Sequence, residues 1–141
     1  NGQLLSGDNS CAAEIHNTLN PFHPDWNAEE SVSTRAIQRV YAIQSGVQLD
    51  ELLMPKTIAE IANGLTVGNQ LAAKEAFRQY GKALGASIAN VLTLIDGVVV
   101  LGGGLTASWN LFAPAMFVIR TLFHALRTAS LKLVDQRALR S

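Results

Sequence analysis

The stretch DGVVVLGGGL, residues 96–105, decides the fold class. Its four consecutive apolar residues, 98–101, predict a strand covered on both faces, as strands are in the parallel or mixed sheets of α/β proteins. Gly102, Gly103 and Gly104 follow, and without side chains there the backbone can approach a phosphate, nucleotide or sugar. The alternative is a close strand-to-helix turn that serves packing alone. The glycine spacing matches neither a P-loop nor a GxGxxG motif.

The composition is that of one globular domain. The chain has 141 residues, of which 48% are hydrophobic, enough for a substantial core. Eleven basic and eleven acidic residues cancel, so DNA contact is expected only through a module outside this chain. The apolar runs are too short for a membrane span, and no signal peptide is visible. We therefore expect a cytoplasmic protein without a membrane partner, and a chain that opens mid-motif without Met is expected to be part of a longer one.

The cysteine content is compatible with a reducing compartment. Cys11 is the single cysteine, which excludes a disulfide within the chain. A lone cysteine is more often a small buried hydrophobe than a reactive thiol. We therefore expect Cys11 to be buried.

Periodicity and capping residues predict two helices in the first half of the chain. The first begins at Asn27, with Glu30 in a position typical of a capping box, and ends near Gly46. The second is short, opened by a capping box at Thr57 and closed by Gly64.

The longest predicted helix is the centre of the fold. Its apolar positions repeat every 3.6 residues from Asn69 to about Ile95. Gly81 and Gly85 lie four residues apart on one face, and each costs about 1 kcal/mol against alanine in a helix interior. We therefore expect another helix to approach closely at these glycines.

Two further elements complete the sequence prediction. A strand is expected at residues 2–5, and a final helix is expected over residues 108–128. Pro114 falls inside the apolar pattern of that helix, so it should start the helix or kink it.

Three segments, taken in order, resemble the ROK family of sugar kinases and sugar-responsive repressors. NGQLLSGDNSCAAEIHN, residues 1–17, is similar to the family's NG-x-L-x-x-G and A-G-E-I-G-H segment. Glu29 and the Ser-x-x-Ala-Ile pattern from Ser33 fit the motif that follows, and residues 76–104, AFRQYGKALGASIANVLTLIDGVVVLGGG, resemble the family's hallmark. The resemblance implies an α/β fold, half of an actin/hexokinase-like (ribonuclease H-like) fold with a mixed sheet flanked by helices. Residues 1–141 would then be a single domain, part of the C-terminal domain of a ROK-family protein.

The resemblance also suggests which residues bind ligands. Glu14 and Glu29 match family positions that hold sugar hydroxyls, and ionised carboxylates accept strong hydrogen bonds from such groups. Asn17 stands where relatives have a histidine that touches the sugar, and its amide can still donate to a hydroxyl. The glycine triplet matches residues that face the adenosine of ATP.

The same comparison predicts that no metal is bound. In relatives the histidine at the position of Asn17 also binds a structural zinc with three cysteines, which this chain lacks. His16, one residue early, and His23 do not supply the three or four ligands that a zinc site requires.

The resemblance leaves two functions for the parent protein. No catalytic residue is assigned within the chain, because the family's general base and phosphate loops lie upstream. The departures at Asn17 and at the missing cysteines favour the sugar-binding domain of a transcriptional regulator. The alternative is the C-terminal domain of an ATP-dependent sugar kinase of glucokinase type, which would use ATP and Mg²⁺. A decayed site that serves only dimerisation is a third possibility. A monosaccharide ligand and a homo-oligomer are expected in either main case.

Overall fold

The computed structural model describes residues 3, 6–12, 14–48, 53–95 and 97–119, and the backbone of 131–133. Five helices, two strands and two 3-10 turns are formed in these ranges. In chain order they are the turn Ile15–Asn17, α1 (Glu29–Val32), α2 (Thr34–Ser45), α3 (Pro55–Ala62), α4 (Gln70–Leu94), β1 (Val99–Leu101), the turn Gly104–Ser108, α5 (Trp109–Phe117) and β2 (Leu131–Leu133).

Helix α4 is the centre of the core, as the sequence predicts. Asn69 caps it, because its side-chain oxygen accepts a hydrogen bond from the Ala72 N–H at 3.0 Å. Phe77 on α4 is fully buried, and α2, α3 and α5 all pack against this helix. The largest fully buried side chains of the core are Phe77, Phe112, Ile37, Ile58, Ile61 and Met116.

The close helix approach expected at Gly81 and Gly85 is confirmed. A Cβ on Gly81 would overlap the carbonyl oxygen of Phe112, and one on Gly85 would lie 2.5 Å from the carbonyl oxygen of Met116. Both carbonyls belong to α5. The two glycines therefore let the backbone of α5 pack directly on α4.

Two predicted helix starts need correction. The helix expected from Asn27 is divided, because Ser33 is extended (φ −110°, ψ 168°) and its hydroxyl caps α2 by accepting from the Ala36 N–H. The helix expected to open at a capping box on Thr57 begins instead at Pro55. Proline is well suited to the first helical position, since its ring fixes φ and its missing N–H would have had no partner there.

The predicted strand at 98–101 is confirmed within one residue, but its burial is not as expected. β1 pairs in parallel with β2, with Val99 opposite Leu131. Val98 and Val100 are 56% and 55% exposed, so β1 is not covered on both faces by the described residues. These strands form a two-stranded parallel sheet, and the predicted mixed sheet is not confirmed.

The last part of the chain is described only in part. α5 begins one residue after its predicted start, and Pro114 lies within it rather than at its first residue. The predicted strand at 2–5, apart from Gln3, and the predicted helical residues 120–128 lie outside the described residues. Within the described ranges, no helix has the length and apolar character needed to cross a membrane.

Candidate sugar and nucleotide site

A short antiparallel pairing brings two of the predicted sugar ligands to one place. The Ala28 N–H donates to the Thr18 carbonyl at 2.8 Å, and Leu19 pairs with Asn27. Asn17 directly precedes Thr18 and Glu29 directly follows Ala28. The pairing therefore sets Asn17 and Glu29 at the same end of this two-stranded segment.

Glu14 lies at the start of the same segment and already has a partner. It precedes the 3-10 turn that contains Asn17, and its Oε2 lies 2.8 Å from His16 Nδ1. Both side chains are about half exposed, at 49% and 45%. A sugar hydroxyl could therefore reach the carboxylate from solvent, with His16 holding it from one side.

Glu29 is held by a surface ion pair. Arg35 Nη2 lies 3.2 Å from its Oε1, and the two side chains are 63% and 45% exposed. Such exposed pairs contribute about 0–1 kcal/mol. A sugar hydroxyl can replace the guanidinium at small cost, so the pair is compatible with ligand binding.

The neighbouring Glu30 has a different role. Arg39 Nη1 donates to its carboxylate at 2.9 Å, and the same guanidinium donates to the Glu30 main-chain carbonyl. The hydrogen bond from Arg39 holds the pKa of Glu30 below its usual value of 4.5. Glu30 thus stays ionised and anchors α1 to α2.

The connection between the two predicted sugar carboxylates is organised by a buried amide. Asn20 is 4% exposed, and its Oδ1 accepts from the N–H groups of Phe22 and His23 at 3.0 and 3.2 Å. Its Nδ2 donates to the Asn27 carbonyl at 3.1 Å and to the Ser31 hydroxyl at 2.7 Å. The four bonds order the loop and tie it to α1. No cluster of three or more His, Cys, Asp or Glu side chains suited to a metal ion occurs among the described residues.

The glycine turn after β1 is open rather than packed. No described atom lies within 4 Å of a Cβ built on Gly102, Gly103 or Gly104. Gly103 has φ +102°, which L side chains rarely adopt, and Thr106 stabilises the turn by donating its hydroxyl to the Gly103 carbonyl at 2.7 Å. Packing within the described residues thus does not explain the triplet, although the backbone conformation explains Gly103.

Sequence reasoning missed a cavity of about 330 Å³ beside this site. It is partly open to solvent and lies between the 20–27 loop, α1, α2 and α4, and it is lined by Phe22, His23, Trp26, Glu30, Ser31, Ala36, Arg39, Val40, Ile43, Gln79, Tyr80, Lys82 and Ala83. The aromatic residues of that loop are the sequence signal that could have indicated it.

Cys11 also differs from its prediction. Its side chain is exposed, and its thiol donates a hydrogen bond to the Asn9 carbonyl at 3.2 Å. The described segment around it is loop that adds nothing to the core, which is why the usual burial of cysteine does not apply here.

A comparison with protein families bears on this site. The model of a family described as ROK matches residues 1–137. No significant match is found among curated protein sequences.

Two solved structures are similar to the chain. A glucokinase from Parabacteroides distasonis is 39% identical with a TM-score of 0.80, and the match covers 87% of this chain and 34% of the glucokinase. A protein described as a sugar kinase from Cytophaga hutchinsonii is 19% identical with a TM-score of 0.77, covering 96% of this chain and 47% of that protein. The second likeness concerns the fold alone. The chain thus spans about a third to a half of the length of these proteins.

Proposed function

Because the chain belongs to the ROK family, as its sequence motifs predicted, we propose that it is the sugar-binding and adenosine-binding part of an ATP-dependent sugar kinase. The observation that carries this proposal is the 39% identity with a glucokinase over 87% of the chain. The predicted regulator is the second candidate. It is favoured by Asn17, which stands where the resemblance expects a histidine.

The proposed sugar site consists of Glu14, Asn17 and Glu29. The two carboxylates would accept hydrogen bonds from vicinal hydroxyls, and the Asn17 amide would donate to one. The common end of the 18–28 pairing supports this for Asn17 and Glu29, since it places both on one edge. The base that removes the hydroxyl proton belongs, by the resemblance, to the upstream half of the fold.

The proposed adenosine contact is the glycine turn. No described atom lies within 4 Å of a Cβ built on its three residues, and the turn follows the carboxyl end of a parallel strand, where α/β proteins usually bind ligands. ATP would supply the phosphoryl group, and Mg²⁺ would neutralise its charge.

The sugar assignment is tested by calorimetry with glucose on the full-length gene product. Replacing Glu14 or Glu29 with Gln should weaken binding by about 1–3 kcal/mol, because each change removes a charge-assisted hydrogen bond. Glu60→Gln is the matched control, since Glu60 lies on α3 and its carboxylate pairs, among the described residues, only with the exposed Lys56. Unchanged affinity in both site variants would reject this pocket.

The nucleotide assignment separates the kinase from the regulator. We expect ATP binding that sugar strengthens, and we expect Gly103→Val to abolish it while glucose affinity stays near the wild-type value. If the wild-type protein shows no ATP binding and no phosphorylation of glucose, the kinase proposal fails and the regulator remains.

A further inference from the structure

The cavity beside the 20–27 loop has the size of a small-molecule site. Its volume of about 330 Å³ lies within the usual range for ligand pockets, roughly 300–1,000 Å³. Glu14, Asn17, Glu29 and the glycine turn do not line it. The cavity is therefore not explained by the proposed sugar or nucleotide site.

Small residues on two helices create the hollow. Ala36 on α2 and Ala83 on α4 are 5% and 3% exposed, so they form part of its floor. Phe22 and Trp26 line it from the loop and remain 49% and 36% exposed. Aromatic rings that stay exposed on the wall of a concavity offer a flat apolar surface to a ring of a ligand.

One of the two basic side chains of the cavity is fixed and neutralised. The Arg39 guanidinium carbon lies 4.4 Å from the centre of the Trp26 ring, and its Nη1 donates to the Glu30 carboxylate at 2.9 Å. The His23 ring also contacts the Trp26 ring, with the ring centres 4.3 Å apart and the planes tilted by 34°. Trp26 is thereby held in one orientation before any ligand arrives.

The other basic side chain is free to meet a ligand. Lys82 lines the cavity from α4 and makes no ion pair with any described residue. Arg39 is balanced by Glu30, whereas Lys82 has no paired carboxylate on the cavity wall and interacts only through space with Glu75, which lies on the same helix outside the lining. We propose that it binds a small aromatic molecule with a single anionic group, the ring against Trp26 and Phe22 and the anion on Lys82.

The probe for this proposal is 8-anilinonaphthalene-1-sulfonate, an aromatic monoanion, added to the full-length protein. Its uncharged analogue N-phenyl-1-naphthylamine has the same rings without the sulfonate. We expect Lys82→Met to weaken sulfonate binding about tenfold and to leave the analogue unaffected. Lys74→Met, an exposed lysine on the same helix that does not line the cavity, is the matched control.

Two more variants locate the bound probe. Gln79→Trp places a large ring at the exposed rim and should abolish the binding of both probes. Energy transfer from tryptophan to the bound sulfonate should fall in Trp26→Phe and persist in Trp109→Phe, because Trp109 does not line the cavity.

Several results would overturn the proposal. They are an absence of stoichiometric sulfonate binding, equal binding in Lys82→Met and Lys74→Met, and energy transfer that is no weaker in Trp26→Phe than in the wild type. Displacement of the probe by glucose would also reject it, because the cavity would then belong to the sugar site. The proposal does not rest on the kinase assignment, so a failure of ATP binding leaves it standing.

Discussion

Glycine serves two separate purposes in this chain, and the surroundings of each residue distinguish them. Gly81 has no room for a side chain, since a Cβ there would overlap the backbone of α5. No described atom lies within 4 Å of a Cβ built on Gly103, but its φ is +102°. Sequence alone predicted the first purpose from the four-residue spacing on a periodic helix. It could not separate packing from ligand contact in the triplet, because the pattern of residues is the same in both cases.

The first prediction concerns Gly81→Ala. Alanine improves helix propensity by about 1 kcal/mol, but its methyl group must displace a backbone carbonyl, and such overpacking costs about 1–3 kcal/mol or more. Because the overlapping atoms are backbone and cannot rotate aside, the cost lies at the upper end of this range, and we expect a net loss of about 2 kcal/mol in the free energy of unfolding, measured with urea. Gly97→Ala should change it by less than about 0.5 kcal/mol, because no described atom is near and its φ is ordinary. Equal stability of Gly81→Ala and the wild type would contradict the close packing of α4 and α5.

The second prediction concerns the charge of Glu75 on α4. Hydrogen bonds from Arg78 lower its pKa from 4.5 to about 2. A lowered carboxyl pKa in the folded state stabilises the protein above the unfolded value of 4.5, and this stability is lost as pH falls towards 2. Since both side chains are partly exposed, at 29% and 45%, solvent screening reduces the contribution to about 0.5–1 kcal/mol.

Carboxyl titration by NMR measures that pKa directly. We expect the midpoint of Glu75 to rise towards the usual value in Arg78→Gln. The loss of stability between about pH 7 and about pH 3 should also be smaller in Glu75→Gln than in the wild type. An unperturbed midpoint in the wild-type protein would show that the Arg78 contact does not persist in solution.

At the scale of elements, periodic segments were predictable and their boundaries less so. The long helix was found within one residue because its repeat and its Asn69 cap agree. The break at Ser33 was missed, since the apolar period continues through it and only the hydroxyl cap ends one helix and begins the next. The loop around Asn20 could not be predicted, because its order depends on an amide with four partners that no periodic signal marks.

The third prediction concerns this loop. Asn20→Ala removes all four side-chain hydrogen bonds in a buried setting and should lower the free energy of unfolding by about 2–3 kcal/mol. Asn110→Ala is the control, since Asn110 is exposed and its side chain makes a single bond, to Asn63. Chemical denaturation monitored by fluorescence compares the two variants. Similar effects in both would show that Asn20 does not organise the loop.

The same loop provides a test of the predicted absence of zinc. If hydrogen bonds alone order it, the purified protein should contain no stoichiometric zinc and should keep its melting temperature in EDTA. Metal analysis together with thermal melting measures both quantities. Stoichiometric zinc with a melting temperature that falls in EDTA would show that His16 and His23 had formed a site after all.

At the scale of the whole molecule, the family and the kinase-like fold were predictable from three motifs in order. The arrangement of the proposed sugar ligands was not, because the placement of Asn17 beside Glu29 depends on the 18–28 pairing. The burial of β1 could not be predicted from the sequence either. A run of four apolar residues indicates that a strand will be covered, but it does not say which part of the molecule covers it.

The last prediction follows from that exposed strand. Val98 and Val100 are more than half exposed, yet parallel sheets are normally covered on both faces. The similar glucokinase has about two thirds of its length outside the match, since only 34% is covered. We therefore expect the remainder of the full-length gene product to cover this face of β1.

The test introduces Val100→Cys into the full-length gene product. The new thiol should react with a maleimide at least about tenfold more slowly than the exposed Cys11, because buried thiols are inert. Peptide mapping by mass spectrometry resolves the two sites, and both should react at similar rates once the protein is unfolded in urea. Equal rates in the native protein would show that the face remains open and that the strand is not part of a larger covered sheet.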